Sequence, residues 1–263
     1  MKLCFSTLGC SDRGLEQILA LAADNGISAL EIRGIGGVLD NAEIDAFQPS
    51  SYDGTTSSFK KYGVFPVSLG TSCAFHDPEK FDGALTEGRC AVKVAEALDI
   101  PNVRVFGNRL KTGSTERIIK GISQLCSLSP KVNILLEVHG DYNTEEALSP
   151  VVEALGHFKN FGLIWDIEHT HKPYGDRWRE FYATLRPYIK HVHIKDRTAD
   201  TDELCLIGDG SIPVKEICSQ LLSDGYEGYF SLEWEKKWHP ELPEIEKALD
   251  SFIQIMREVE HEC

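Results

Sequence analysis

The chain has 263 residues, 42% of them hydrophobic, and a formal net charge of −14. That length admits one large domain or two small ones, with apolar residues enough for a substantial core. The charge opposes nucleic-acid and anionic-membrane partners and favours cations.

Short β-rich runs alternate with amphipathic ones along the whole chain. The pattern predicts strands at Lys2–Thr7, Ala29–Arg33, Phe65–Leu69, Val103–Phe106, Asn133–Val138, Gly162–Asp166, His191–Lys195 and Tyr229–Trp234. After the first strand, Leu15, Ile18, Leu19, Leu21 and Ala22 fall at helical spacing, with Asp12 placed to cap them. The second unit is the weakest, since Asp40–Tyr62 is polar and only Ser57–Tyr62 reads as helix. Further helical patterns cover Phe81–Leu98, Thr115–Leu128, Glu145–Leu155, Arg177–Leu185, Val214–Leu222 and Ile245–Val259.

Lys2 and Leu8-Gly9-Cys10 have the outline of a lipoprotein leader, but the apolar run Leu3–Phe5 is far shorter than the roughly 7–15 residues such a leader needs. No run approaches the roughly 20 apolar residues of a membrane span. Eight cysteines at 4, 10, 73, 90, 126, 205, 218 and 263 contain no CxxC pair and read as reduced, mostly buried thiols of a cytoplasmic enzyme. Strict βα alternation through eight units predicts an α/β fold, a (β/α)₈ TIM barrel forming one domain over residues 1–263. A doubly wound open sheet is the runner-up, and it lacks the GxGxxG after the first strand that would support it.

Four of the predicted strands end in or near a residue able to bind a metal: Glu137, Asp166, His193 and Glu233, separated by 29, 27 and 40 residues. These intervals approximate one strand–helix unit, and a charge at a buried strand end is costly unless it is paired or bound. In a barrel these ends line the face where active sites are built. Each residue has a plainer reading: Glu137 as half of a core ion pair, Asp166 as a helix cap, and either His191 or His193 as a core hydrogen-bonder. Glu233 and Glu235 share a face, so spacing does not choose between them. Two glutamates, an aspartate and a histidine form an oxygen-rich set suited to one divalent ion, Mn²⁺ foremost, with Mg²⁺, Co²⁺ or Zn²⁺ as alternatives.

The segments LLEVHGDYN, IWDIEHTHK, HVHIKD, IGDGSIP and GYFSLEWE resemble the sugar phosphate isomerase/epimerase superfamily. This is the xylose-isomerase-like barrel group that also holds ketose 3-epimerases, inosose dehydratases and endonuclease IV. The resemblance covers nearly the whole chain and is most specific from Glu137 onward. It implies metal ligands at Glu137, Asp166, His193 and Glu233, the last in preference to Glu235. It further implies substrate contacts from His169 and Arg197, and Glu137 and Glu233 as the acid/base pair that removes and returns a proton beside a carbonyl.

The expected activity is therefore a metal-dependent isomerase or epimerase acting on a small carbohydrate or polyol derivative through an enediolate. A dehydratase or lyase on a keto-sugar or inosose begins with the same proton abstraction and is the alternative. A non-catalytic ligand-binding barrel is less favoured. An apurinic-site endonuclease is opposed by the charge, by Phe106-Gly107-Asn108 where that branch needs a histidine, and by the absence of one in KDRTADTDEL. His76 and His139 are further candidates for substrate contact. Glu31 and Arg33, ending the second strand, are expected to pair as rim scaffold or else to touch ligand, and Lys195 with Asp196 to form a rim ion pair. Trp165 and Trp234 should face the helices, and Gly208-Asp209-Gly210 reads as a turn. The sequence leaves the substrate open, and equally whether the chain forms a homo-oligomer.

Overall fold

The structure, a computed structural model, describes residues 1–262; Cys263, and with it one of the eight thiols, lies outside the described residues. In chain order the first half runs β1 Lys2–Ser6, α1 Leu15–Asp24, β2 Ala29–Ile32, α2 Tyr52–Tyr62, β3 Phe65–Ala74, α3 Phe81–Ala97, β4 Asn102–Phe106 and α4 Ser114–Cys126. The second half runs β5 Asn133–Glu137, α5 Glu145–Leu155, β6 Phe161–Asp166, α6 Ile167–Tyr174, α7 Trp178–Leu185, β7 Ile189–Ile194, β8 Asp196–Arg197, β9 Leu204–Cys205, α8 Val214–Ser223, β10 Tyr229–Leu232 and α9 Ile245–Glu262. Eight strands close into a barrel in the ring order β1-β10-β7-β6-β5-β4-β3-β2. Each neighbouring pair is parallel, as right-handed crossovers through helices require. β8 and β9 form a small antiparallel hairpin above the barrel.

Alternation along each strand divides the side chains between two cores. Outward-facing residues pack on the helices. Trp165 of β6 is fully buried, stacks on Tyr182 at 5.2 Å and Phe181 at 6.0 Å, and donates its indole N–H to Thr170. Trp234 is buried likewise and donates to the Pro243 carbonyl. At the N-terminal end the barrel interior is filled by the small side chains of Cys4, Ala29 and Val67, packed against Tyr229. Toward the C-terminal end the inward positions become charged.

Several element bounds depart from the expectations. β3 runs to Ala74 rather than Leu69, because its register with β4 shifts between Gly70 and Ala74 and the polar stretch GTSC reads as loop. Asp12 does not cap α1; the cap is Gly14, whose N–H is taken by the Gln17 side chain at 3.0 Å. α2 begins at Tyr52, five residues before the predicted start. α6 was not foreseen, being polar and carrying Pro173 in its last turn. Of the described cysteines, Cys4, Cys10, Cys73, Cys126 and Cys218 are buried and Cys90 and Cys205 partly so, none in a disulfide. No helix of the described residues is long and apolar enough to cross a membrane.

Candidate metal centre

β5, β6, β7 and β10 are consecutive in the ring, so residues at matching heights meet inside the mouth. Asp166 pairs in register with His193, and His193 with Ser231, two residues before Glu233. Glu137, Asp166, His193 and Glu233 are all buried and offer ligand atoms within 4.8 Å of one another. The His193 Nδ1 atom lies 3.2 Å from Glu233 Oε2, 3.8 Å from Asp166 Oδ2 and 4.0 Å from Glu137 Oε1.

This set fits a divalent cation. Glu137 Oε2, Asp166 Oδ2, His193 Nδ1 and Glu233 Oε2 are buried without a properly directed hydrogen bond. Three of these atoms, Asp166 Oδ2, His193 Nδ1 and Glu233 Oε2, face one another with Glu137 Oε1 beside them, and since buried polar atoms are otherwise satisfied in folded proteins this marks a place built for another partner. Asp166 serves two purposes. Its Oδ1 caps α6 by accepting from the Glu168 and His169 N–H groups, while Oδ2 faces the cluster. The cap reading and the ligand reading of this residue are therefore both realised, one on each oxygen.

Glu31 orients the histidine. Its Oε2 meets the Nε2 atoms of His191 and His193, each at 2.9 Å, and accepts from Ser231 Oγ at 3.2 Å. With the hydrogen held on Nε2, the Nδ1 of His193 is the atom presented to the cluster, the arrangement by which a carboxylate fixes a metal-binding imidazole. His191 is thus the core hydrogen-bonder of the pair. The expected Glu31–Arg33 pair does not form. Glu31 turns inward to the histidines, while Arg33 donates to Ser72 Oγ and the Leu39 carbonyl.

Two cations that the sequence reading did not place here complete the site. Arg104, buried at mid-β4, puts Nη1 3.1 Å from Glu137 Oε2 and 3.0 Å from Glu233 Oε1. Lys195 brings Nζ to 2.8 Å from Asp166, 2.6 Å from Glu233 and 2.6 Å from Glu235. The expected Lys195–Asp196 pair is therefore wrong. Adjacent residues past a strand end point to opposite sides, and Asp196 instead accepts the N–H groups of Arg197, Gly208, Gly210 and Ile212. The Gly208–Gly210 turn wraps a carboxylate of the protein itself.

Burial and these neighbours set the ionisation. Burial would push both glutamates up. For Glu137 it prevails over the pull of Arg104 and raises the carboxyl to about 7. For Glu233 it is overcome by His193 and Lys195, which hold the group well below the usual range. Burial disfavours charge on His193, but Glu233 and Glu31 outweigh it and keep the imidazole well above its ordinary value. In the absence of a metal the acids are thus met by protonated side chains.

The wall above the cluster includes Arg33, Arg104, Phe106, His139 and Trp238, around a cavity of about 310 Å³ that reaches Glu137 and Glu233. His139 lines it and packs on His169, ring centroids 4.2 Å apart, with burial and the His169 neighbour depressing its pKa to about 3. Of the three histidines expected as substrate contacts, His139 therefore lines this mouth and His169 packs against it. Arg197 does not: its Nε is bound to Glu168 Oε1 at 2.6 Å, and it lines a separate hollow with His171 and Lys172. His76 also falls outside the wall, and its carbonyl anchors the Arg117 guanidinium. A hollow of about 330 Å³ opens at the opposite end of the barrel, beside Lys190 and Glu227, away from the ligand cluster.

A parallel (β/α)₈ barrel with a cluster of metal-ligating groups at its strand ends defines the class. The family model described as xylose isomerase-like TIM barrel matches residues 19–255, and the chain belongs to that family. A stretch of 118 residues is 30% identical to the uncharacterized protein MJ1311 of Methanocaldococcus jannaschii, covering 44% of this chain and 39% of that protein. Among solved structures, a D-tagatose 3-epimerase-like protein superposes with a TM-score of 0.76 at 20% identity, over 100% of this chain and 99% of the other. The probable 3-DHS dehydratase AsbF of Bacillus anthracis gives 0.75 at 16%, over 96% and 99%. The IOLI protein, solved with a bound zinc atom, gives 0.75 at 21%, over 98% of both chains. At these identities the likeness is one of fold.

Proposed function

We propose that this chain is a divalent-metal-dependent enzyme that acts on a sugar or polyol derivative by removing a proton next to a carbonyl. The observation that carries the reading is the convergence of ligand atoms from Glu137, Asp166, His193 and Glu233, all within 4.8 Å of one another, on one buried point beneath an open cavity. The bound ion would be a hard or borderline divalent cation, Mn²⁺, Mg²⁺, Co²⁺ or Zn²⁺, and it would polarise the substrate carbonyl and stabilise the enediolate. The zinc of the IOLI structure supports a metal in this fold, and the likeness to a D-tagatose 3-epimerase-like protein supports a carbohydrate-type substrate.

The protein's own groups supply the proton traffic. Glu137 and Glu233 reach the same cavity and are tethered to one guanidinium nitrogen of Arg104, which keeps the carboxylates a fixed distance apart. One takes the proton and the other returns it in an isomerase or epimerase. His139 and His169 at the mouth are placed to hold substrate oxygens. An elimination is the second reading, favoured by the position of Lys195. Its Nζ, held in the charged form by Asp166 and Glu233 against the effect of burial, points at the cluster and could protonate a departing hydroxyl.

The test is proton exchange. The metal-loaded enzyme, screened against ketoses, inososes and 3-keto-glycosides in D₂O, should incorporate deuterium at the carbon next to the carbonyl. Glu137→Gln should abolish the incorporation while leaving the circular dichroism unchanged. Undiminished exchange in that variant removes the proposal.

A further inference from the structure

A divalent ion at the barrel mouth would displace the proton of His193 and leave one buried cation unmatched. Glu31, Glu137, Asp166 and Glu233 are buried acids, and Arg104 and Lys195 are buried bases in ion-pair contact with them. A divalent ion at the four-ligand point would bring the two sides to equality. Arg33 is then left over. It is 6% exposed, lines the same cavity, and forms no ion pair with any described residue. Its guanidinium donates only to Ser72 Oγ at 2.8 Å and the Leu39 carbonyl at 3.2 Å. Glu87 of α3, Glu233 and Glu137 act on it from a distance, but the Glu87 Oε1 accepts the Ser72 backbone N–H at 2.5 Å and the other two are in contact with Arg104. Glu235 stands nearer the rim and is bound to Lys195 at 2.6 Å.

A buried guanidinium with no counter-charge in contact is costly. Here a second one lies beside it: a Cβ built at Gly70 would meet the Arg33 Cδ and, at 3.3 Å, the Arg104 Nη2. The glycine is what lets the two arginines pack against β3. Burial and the repulsion of Arg104 lower the Arg33 pKa to about 10, so the site pays for keeping the charge. Folding does not require such a cost, whereas recognition of an anion does.

We infer that the cavity receives a singly charged anionic group of the substrate, a carboxylate, on the Arg33 side of the mouth, so that the substrate class is a sugar acid or other carboxylate-bearing polyol derivative. This rests on the proposed metal centre, which balances the remaining acids. A carboxylate suits the one unmatched positive charge. A phosphate dianion would leave an excess negative charge facing Glu137, Glu233 and Glu235, which line the same wall. The planar fork of arginine matches two carboxylate oxygens, and Ser72 holds it in place.

The test is calorimetric titration of the Mn²⁺-loaded protein with D-galacturonate and with D-galactose, sugars that differ in a carboxylate for a hydroxymethyl group. The acid should bind at least about tenfold more tightly. Arg33→Gln should reduce the preference to within about twofold, with Mn²⁺ uptake unchanged, and Arg33→Lys should restore part of it. No preference for the acid in the wild-type protein, whether both sugars bind or neither does, overturns the inference, as does a preference that survives in Arg33→Gln. The wild-type comparison decides the matter even if the variants do not fold. Mn²⁺ uptake is measured first on the same samples. A wild-type protein that takes up no metal fails the metal-centre reading and takes this inference with it, whereas a metal-loaded protein indifferent to the carboxylate fails only the inference.

Discussion

At the residue scale the site is a set of charges that tolerate burial only together. Glu31 shows how a residue outside the ligand set controls it. One of its oxygens receives both histidine Nε2 atoms and the Ser231 hydroxyl, and this fixes which nitrogen of His193 faces the acids. Glu31→Gln keeps the shape and an acceptor but loses the charge that makes the imidazole a strong ligand. It should weaken Mn²⁺ binding by about tenfold or more, read by competition with a fluorescent chelator; unchanged affinity would mean that His193 needs no such support. Arg104 is the complementary case. Arg104→Met leaves Glu137 and Glu233 facing each other without a guanidinium between them. Urea unfolding of the metal-free protein should report a loss of about 3–5 kcal/mol, the cost typical of breaking a buried ion pair from one side. A loss under about 1 kcal/mol would indicate that the two carboxyls relieve one another by sharing a proton.

At the element scale, the strands were legible and their inner faces only partly so. All eight barrel strands lie where the apolar runs put them, because a strand buried on both faces needs a continuous apolar sequence. Glu137, Asp166, His193 and Glu233 stood out because each lies at or near the end of such a run, and the ring places all four together. Arg104 interrupts one too, between Val103 and Val105, and that signal was available. What sequence could not supply was the partner across the barrel: Arg104 reaches acids 33 and 129 positions away, and Glu31 reaches histidines 160 and 162 positions away. Local adjacency misled in the same way. Glu31 with Arg33 and Lys195 with Asp196 looked like pairs, but Glu31 and Lys195 met charged or ring partners on other strands, Asp196 took backbone N–H groups, and Arg33 formed no ion pair with any described residue. Arg197, in the short hairpin strand β8, and His76, in a loop, lie outside the barrel strands, whose periodicity does not constrain where they go. Helix ends follow ordinary capping. Thr144 accepts the Ala147 N–H at the start of α5, and Thr144→Ala should cost about 1 kcal/mol in chemical denaturation. No measurable change would show that the two acids in the first turn, Glu145 and Glu146, suffice to hold that end.

At the scale of the whole molecule, the barrel separates stability from function along its axis. Cys4, Ala29 and Val67 close the N-terminal end with small apolar side chains, and the charged layer occupies the other. Lys195 and the protonated His193 stand where a cation would sit, so metal entry must displace a proton and move an ammonium group. Metal uptake should accordingly release protons. The measurement that tests the account most directly is titration of the metal-free protein with Mn²⁺, followed by calorimetry in two buffers of different ionisation enthalpy and repeated on Asp166→Asn and Glu233→Gln. One equivalent should bind, with proton release, and affinity should fall at least about tenfold in each variant. Failure to bind, or binding unaltered by both substitutions, would contradict the proposed metal centre.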